Sequence, residues 1–530
     1  MPFASRRTIP GGVRPWPLGA VLALCLVLAA AALVWTGLRP HRHQQLAAPA
    51  ARQPAAATAH VTPPTRVCGN QAVLGGGPAT APAGAITVPA GDDSGVNWSR
   101  AGATYWLAPG QHTLGAGQFT QIIPGPGATF TGAPGAVLDG RHTNLYAFGG
   151  NATGVTIRYL TIRDFGTSGG NQNQGVVNEN SEAGWTIENS TITANAGAGV
   201  MLGSGNTLSY DCLTANQQYG FNAYSTSGPA HLVVEHNEIS DNDTYNWEAR
   251  QSGCGCSGGG KFWDVDGAVI SGNWVHGNEN VGLWADTNNR GFDFSGNYIS
   301  DNYSYGLIYE ISYNAQIRDN TFARNGLGTG PTNPGFPTSA IYISESGSDP
   351  RVPGNYGRSF EITGNRFIDN WGGVILWENS NRFCNSPANT STGVCTLVAP
   401  STATLRSCDA QHIARPPYYA DCRWKTQNVQ VTHNEFDFDP ASLGASCTLA
   451  RECGFQGVFS EYGTFPSWSP YQGTSVENHI TFGQDNHFSQ NRYRGPWRFM
   501  AGAQGTVVTW ATWRAGPFHQ DAASSMTAQP

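Results

Sequence analysis

Three acidic residues hold the same place in a recurring phrase. Asp286, Glu310 and Glu378 each lie eight residues beyond an asparagine (Asn278, Asn302 and Asn370), within GLWADTNN, GLIYEISYN and VILWENSN. Equal position in a stacked repeat predicts one row of carboxylates, and like charges facing one another across strands repel. Such a row implies a bound cation such as Ca2+, a shared proton, or a general acid beside a base. In the catalytic reading Glu310 is the acid, its pKa raised by its acidic neighbours, and Asp286 or Glu378 is the nucleophile or the base for water. Ser344 or Glu345, in SAIYISES, enters the row between them. Lys261, in GGGKFWDVDG, is the cation expected to reach the acids, and His276, in VHGN, is the other candidate base. Trp284 alternates with Leu283 and Ala285 and so shares the face of Asp286. Trp263, Tyr309 and Trp377 are its aromatic companions in the neighbouring phrases. The plain alternative is a solvated acidic stripe under an aromatic cover, with Lys261 an ordinary strand lysine.

The elements that must position these residues follow from the repeat. An apolar residue followed three positions later by Asn ends at 195, 216, 242, 278, 302, 325 and 370, with spacings of 21, 26, 36, 24, 23 and 45. A period near 23 predicts coils of three short strands, with one insertion near 250 and one whole extra coil before 370. Such a unit is too short for a propeller blade, and helical periodicity and the leucine-rich and GGxGxD patterns are absent. What remains is an all-β, right-handed parallel β-helix, a single-stranded solenoid. The repeated Asn is expected at a bend with positive φ, its amide bonded to the next coil's Asn. The pattern extends upstream through GVTIRYLTIRDF and GAPGAVLDG and downstream through VQVTHNEF, giving some 14–16 coils over about 67–520. Insertions at 243–258, 326–338 and roughly 381–427 all enter or leave the acidic wall, where they would form the sides of a cleft.

With GAPGAVLDG, GLWADTNN, GLIYEIS and the tail GPWRF…WRAGPFHQD, the chain resembles the pectate-lyase-like superfamily of right-handed β-helices, and within it secreted bacterial proteins built of β-helix repeats. That superfamily holds polysaccharide lyases, hydrolases and epimerases as well as tailspikes and adhesins, so function does not follow from fold. The resemblance implies a polysaccharide ligand. ADTNN at 285–289 has the wrong order for the NTD element of polygalacturonase-like hydrolases, and their RIK element is missing. The WxDH segment of pectate lyases and the DPHD segment of alginate epimerases are absent too. The residue pattern therefore leads to a glycoside hydrolase acting through the carboxylate row. The alternatives are a lyase or epimerase with Lys261 or His276 as base, and a non-catalytic glycan-binding or structural rod. Equal register predicts Asp286 and Glu310 carboxyls about 5 Å apart, and Glu310 and Glu378 roughly 9–10 Å apart, the spacings of retaining and inverting chemistry.

Composition and topology agree with a surface role. The 530 residues carry a net charge of −7 and only 12% charged side chains, which excludes a nucleic-acid binder for want of a basic surplus. Arg6, Arg7 and Arg14 precede an uncharged run at 18–38. It is long enough to span a membrane with residues 1–17 in the cytoplasm, the alternative being a cleaved signal and a secreted protein. An Ala/Pro-rich linker at 39–66 and a tail at 521–530 flank the solenoid. Ten cysteines beyond Cys25 suit an oxidising compartment. Cys384–Cys395, Cys408–Cys422 and Cys447–Cys453 are the expected disulfides, with Cys68, Cys212, Cys254 and Cys256 unassigned. A monomer without structural zinc is expected.

Overall fold

A computed structural model describes residues 62–225, 228–333, 336–352, 357–387, 403–404, 406–461 and 465–527. The expected anchor at 18–38 lies outside them, and among the described residues no helix is long and apolar enough to cross a membrane. The first coils carry two short strands and those from Gly175–Val177 onward three, and their stacking makes three sheets. The first has 13 strands, from Ile86–Val88 to His487–Ser489; the second has 14, from Gly91–Asp92 to Ser525–Thr527. The third has 11, from Gly175–Val177 to Val507–Val508, and all its pairings are parallel except the last. The solenoid thus runs through Ser525–Thr527, past the boundary drawn at 520.

The strands are short β-branched phrases whose middle residue points inward. Ile157, Ile187 and Leu208 stack in register in the first sheet, each fully buried, while the flanking threonines are half-buried. Burying each such side chain contributes roughly 1.5–3 kcal/mol, and one continuous apolar core results.

Asparagines fix the corners. Between the second and third sheets, Asn195, Asn216, Asn242, Asn278, Asn302, Asn325 and Asn370 donate Nδ2 to Oδ1 of the next at 2.9–3.1 Å. The positive φ falls one residue earlier than expected, on Ala194, Ala215, Asp241, Gly277, Asp301, Arg324 and Asp369. Asn325 bonds Asn370 directly, so the spacing of 45 is one coil enlarged by loops and not two coils. A second ladder, unforeseen in the sequence, joins Asn237, Asn273, Asn297, Asn320, Asn365, Asn434 and Asn491 between the first and second sheets.

Disulfides link Cys68–Cys212, Cys254–Cys256, Cys408–Cys422 and Cys447–Cys453. Cys384 is disulfide-bonded, while its expected partner Cys395 lies outside the described residues.

Candidate functional site

The acidic wall is the third sheet. Its strands Gly258–Phe262, Val281–Ala285, Leu307–Glu310, Ile341–Ser344 and Val374–Asn379 are neighbours in that order. The GL opening of the phrases has a steric cause. A Cβ on Gly282 would meet the Gly306 carbonyl oxygen at 2.5 Å and the Asn302 amide at 2.9 Å, so only glycine fits against the ladder. Leu283, Ala285, Leu307 and Tyr309 then point into the core. Trp284, Asp286, Ile308 and Glu310 alternate to the outer face.

Asp286 follows Ala285, and Glu310 follows Tyr309, the residue paired with Ala285. The two carboxylates are therefore consecutive rungs of one row, as expected. Glu310 pairs in register with Ser344, and Ser344 with Trp377, so Glu378 is displaced by one. The cause is a shorter turn. Leu283 and Leu307 lie five residues beyond their ladder asparagines, whereas Val374, in the same register, lies four beyond Asn370. Glu378 is buried at the corner on Arg423, and it accepts Gln484 Nε2 at 2.7 Å and the Thr426 N–H at 3.3 Å. It is no partner for Glu310 across a water.

Both acids of the row carry a cation. Lys261 Nζ lies 2.7 Å from Asp286 Oδ2, donates to the Gly255 carbonyl at 2.5 Å, and sits 4.2 Å over the Trp284 ring. Arg382, unforeseen in the sequence, reaches Glu310 Oε1 at 2.5 Å and Glu345 Oε2 at 2.9 Å. Burial pushes the Glu310 carboxyl up; Arg382 opposes this, and Asp286 and Glu345 add to it. Burial would lower the Arg382 pKa, but the Glu345 and Glu310 carboxylates raise it. Lys261 and Arg382 thus pair with the acids of the row, and among the described residues no three His, Cys, Asp or Glu side chains gather to hold a metal. Burial also shifts Arg423, down to about 10.

The other candidates divide by face. Trp284 is half-buried on the floor of an open cleft of about 710 Å3, and Trp263 lines a smaller hollow of about 300 Å3 together with Lys261. Tyr309 is fully buried in the core, because it stands in register with inward Ala285, and cannot meet a ligand. Trp377 faces outward but is covered, packed with Phe336, Tyr342 and Phe459. His276 belongs to the second sheet, 3.1 Å from Glu238 and against Trp274, away from the row.

The insertions at 243–258 and 326–338 flank the larger cleft, contributing Asn246, Glu248 and Gly255 on one side and Thr329 and Thr332 on the other. Tyr303 and Tyr305 join Trp284 in its lining. From the third insertion, Arg382 and Arg423 reach the acids at the end of the row, and its described residues Phe383, Cys408, Ile413 and Trp424 join a separate small core. ENSNR, which opens that insertion, places Arg382 four residues after Glu378, the signal that would have revealed it.

Residues 174–356 match a sequence family described as the right handed beta helix region. The fold is a right-handed parallel β-helix. Among solved structures, the β-helix is similar to the A-module of the Azotobacter vinelandii mannuronan C-5 epimerase AlgE4, with 11% identity over 80% of this chain and 91% of that one and a TM-score of 0.40. The AlgE6 A-module of the same organism gives 13% identity over 55% and 81%, with a TM-score of 0.33. The enzymatically active domain of bacteriophage CBA120 tailspike protein 2 gives 12% over 56% and 43%, with a TM-score of 0.25. No curated protein sequence matches the chain.

Proposed function

We propose that the protein binds a glycan in the cleft on the third sheet and cleaves it as a glycoside hydrolase. The observation that carries this reading is the aromatic cleft floor, with Trp284 and Ile308 each two residues before a carboxylate of the row, Asp286 and Glu310. Aromatic faces stack on the apolar faces of sugar rings, and two acids in unlike environments divide the roles of acid and base. Asp286, neutralised by Lys261, is suited to be the anionic nucleophile or base. Glu310, pushed up by burial, is suited to hold the proton. The disulfides favour an oxidising compartment, consistent with a surface-anchored or secreted protein.

A second reading rests on the ion pairs themselves. Lys261 on Asp286 and Arg382 on Glu310 and Glu345 are the arrangement of a wall built to last, which favours a glycan-binding rod without turnover. Incubating the full-length protein with a polysaccharide panel, with and without chelator, separates the readings. The hydrolase releases reducing ends whether or not chelator is present, and Glu310→Gln abolishes release while leaving the fold intact. Loss of activity with chelator would bring back calcium, and an unsaturated product absorbing in the ultraviolet would mean a lyase. Binding with no product, or full turnover by Glu310→Gln, ends the hydrolase assignment.

A further inference from the structure

The lining of the larger cleft has a sign. Its charged side chains are Glu248 and Glu279, and among the described residues no Lys, Arg or His lines it. Glu248 is held in place: its Oε1 accepts the Gly253 N–H at 2.5 Å and its Oε2 the Gly255 N–H at 3.2 Å. Glu279 is exposed, next to the ladder residue Asn278 and two residues before the strand that carries Trp284. The nearest ammonium, Lys261, is already committed to Asp286 and the Gly255 carbonyl. The negative field reaches inside the insertion as well. Burial pushes the Asp243 carboxyl up to about 7, and Glu279 and Glu248 add to that shift. The rest of the polar lining, Asn246, Asn280 and Ser304 among it, is neutral.

A polyuronate presents a carboxylate on every ring. Laid on Trp284, it would bring those charges to Glu248 and Glu279 with no cation to meet them, and like-charge juxtaposition is a strong barrier to binding. An ammonium on the sugar finds the reverse. It meets two carboxylates, and the exposed face of Tyr303 attracts it further through its quadrupole. We propose that the cleft takes a glycan whose sugars carry free amines, a hexosamine chain, and discriminates against polyuronates. This rests on the reading of the cleft as a glycan site and adds the class of sugar to it.

The test measures binding of three length-matched oligosaccharides, of glucosamine, N-acetylglucosamine and galacturonate, to the full-length protein at mildly acidic pH where the amines are charged. The expectation is that glucosamine chains bind about tenfold more tightly than N-acetylated ones at about 0.01 M salt, the preference fading at about 1 M as the screening length contracts to about 3 Å. Glu279→Gln narrows the preference and Glu279→Lys narrows it further; this exposed position tolerates both without a change of fold. Galacturonate binding as tight as glucosamine, or a preference indifferent to salt, overturns the charge argument while leaving the glycan site standing. If none of the three chains binds, and Trp284→Ala alters binding to nothing in the polysaccharide panel, the glycan reading falls and this inference with it.

Discussion

Asp211 shows how a single rung can be the wrong way round. It takes the place of an asparagine at the start of the second ladder: its N–H donates to Asn237 Oδ1 at 2.8 Å, as that of Asn237 does to Asn273. Its Oδ1 accepts the Ser190 N–H at 2.7 Å, but Oδ2, where each ladder Asn carries its donor, has no partner. Burial raises this carboxyl well above its ordinary pKa. A raised folded pKa contributes stability that is complete below the unfolded value, about 3.9, and is lost as pH rises through the folded one. Asp211→Asn should therefore raise the unfolding free energy measured in urea at pH 7, by about 1–3 kcal/mol for removing a buried oxygen that has no partner, with the gain shrinking toward pH 4. Arg382 makes the opposite case. Arg382→Met strands two buried carboxylates and should cost about 3–5 kcal/mol. Because the Glu310 pKa is already raised, the loss should be greatest at neutral pH and smaller in acid, as comparison of denaturation midpoints at the two pH values will show. The row itself was legible because Asp286 and Glu310 follow equal turns. Glu378 was misread because one residue is missing after Asn370, and residue counting is blind to a turn shortened by one.

At the scale of elements, a strap and a corner carry the lessons. Residues 66–68 are tied to the second sheet by the Cys68–Cys212 disulfide and by Glu238, which accepts from Arg66 at 2.9 Å and from the N–H groups of Val67 and Cys68 at 2.7 and 2.8 Å. Burial alone would push Glu238 up, but hydrogen bonds from His276, Arg66 and these amides hold it down at about 2. A lowered folded pKa gives stability that is present above the unfolded value, about 4.3, and is lost as pH falls toward 2. Glu238→Gln should lower the hydrogen-exchange protection factors of the Val67 and Cys68 amides at neutral pH, and acid below pH 4 should lower them in the wild type; unchanged protection in both would deny Glu238 this role. The second ladder was readable in principle. Asn237, Asn273, Asn297, Asn320 and Asn365 each precede a first-ladder asparagine by exactly five residues, a constancy hidden by attention to the coil period alone. Tyr309 was misplaced for a related reason: it was grouped by phrase, when the strand's alternation already aligned it with inward Ala285.

For the whole solenoid, each strand pairs only with those of adjacent coils, so the stability of the stack sums over rungs and interfaces. Asn302 lies mid-ladder, donating to Asn325 Oδ1 and the Val275 carbonyl and accepting from Asn278. Asn302→Ala leaves several buried groups unpaired at about 1–3 kcal/mol each, and calorimetry should resolve its single unfolding transition into two, one for each side of the break. A single transition shifted by less than a degree would mean that the core, and not the ladder, couples the coils. The asparagine-to-asparagine bonds of both ladders also run in one direction, each side-chain amide donating to the C-terminal coil's Asn while its other N–H goes to a backbone carbonyl of the preceding coil. Amide dipoles in line add, as they do along a helix. The stack is therefore electrically polarised along its axis, negative toward the first coils and positive toward the last. The last rung ends on Asp521, which accepts from Asn491 Nδ2, Tyr493 Oη and Trp513 Nε1, so an acceptor meets the positive end. The first rung of the second ladder is Asp211, at the other end. A duplicated coil inserted anywhere between them would lengthen this axis without reversing it, and so would leave both terminal acids in the settings they now occupy.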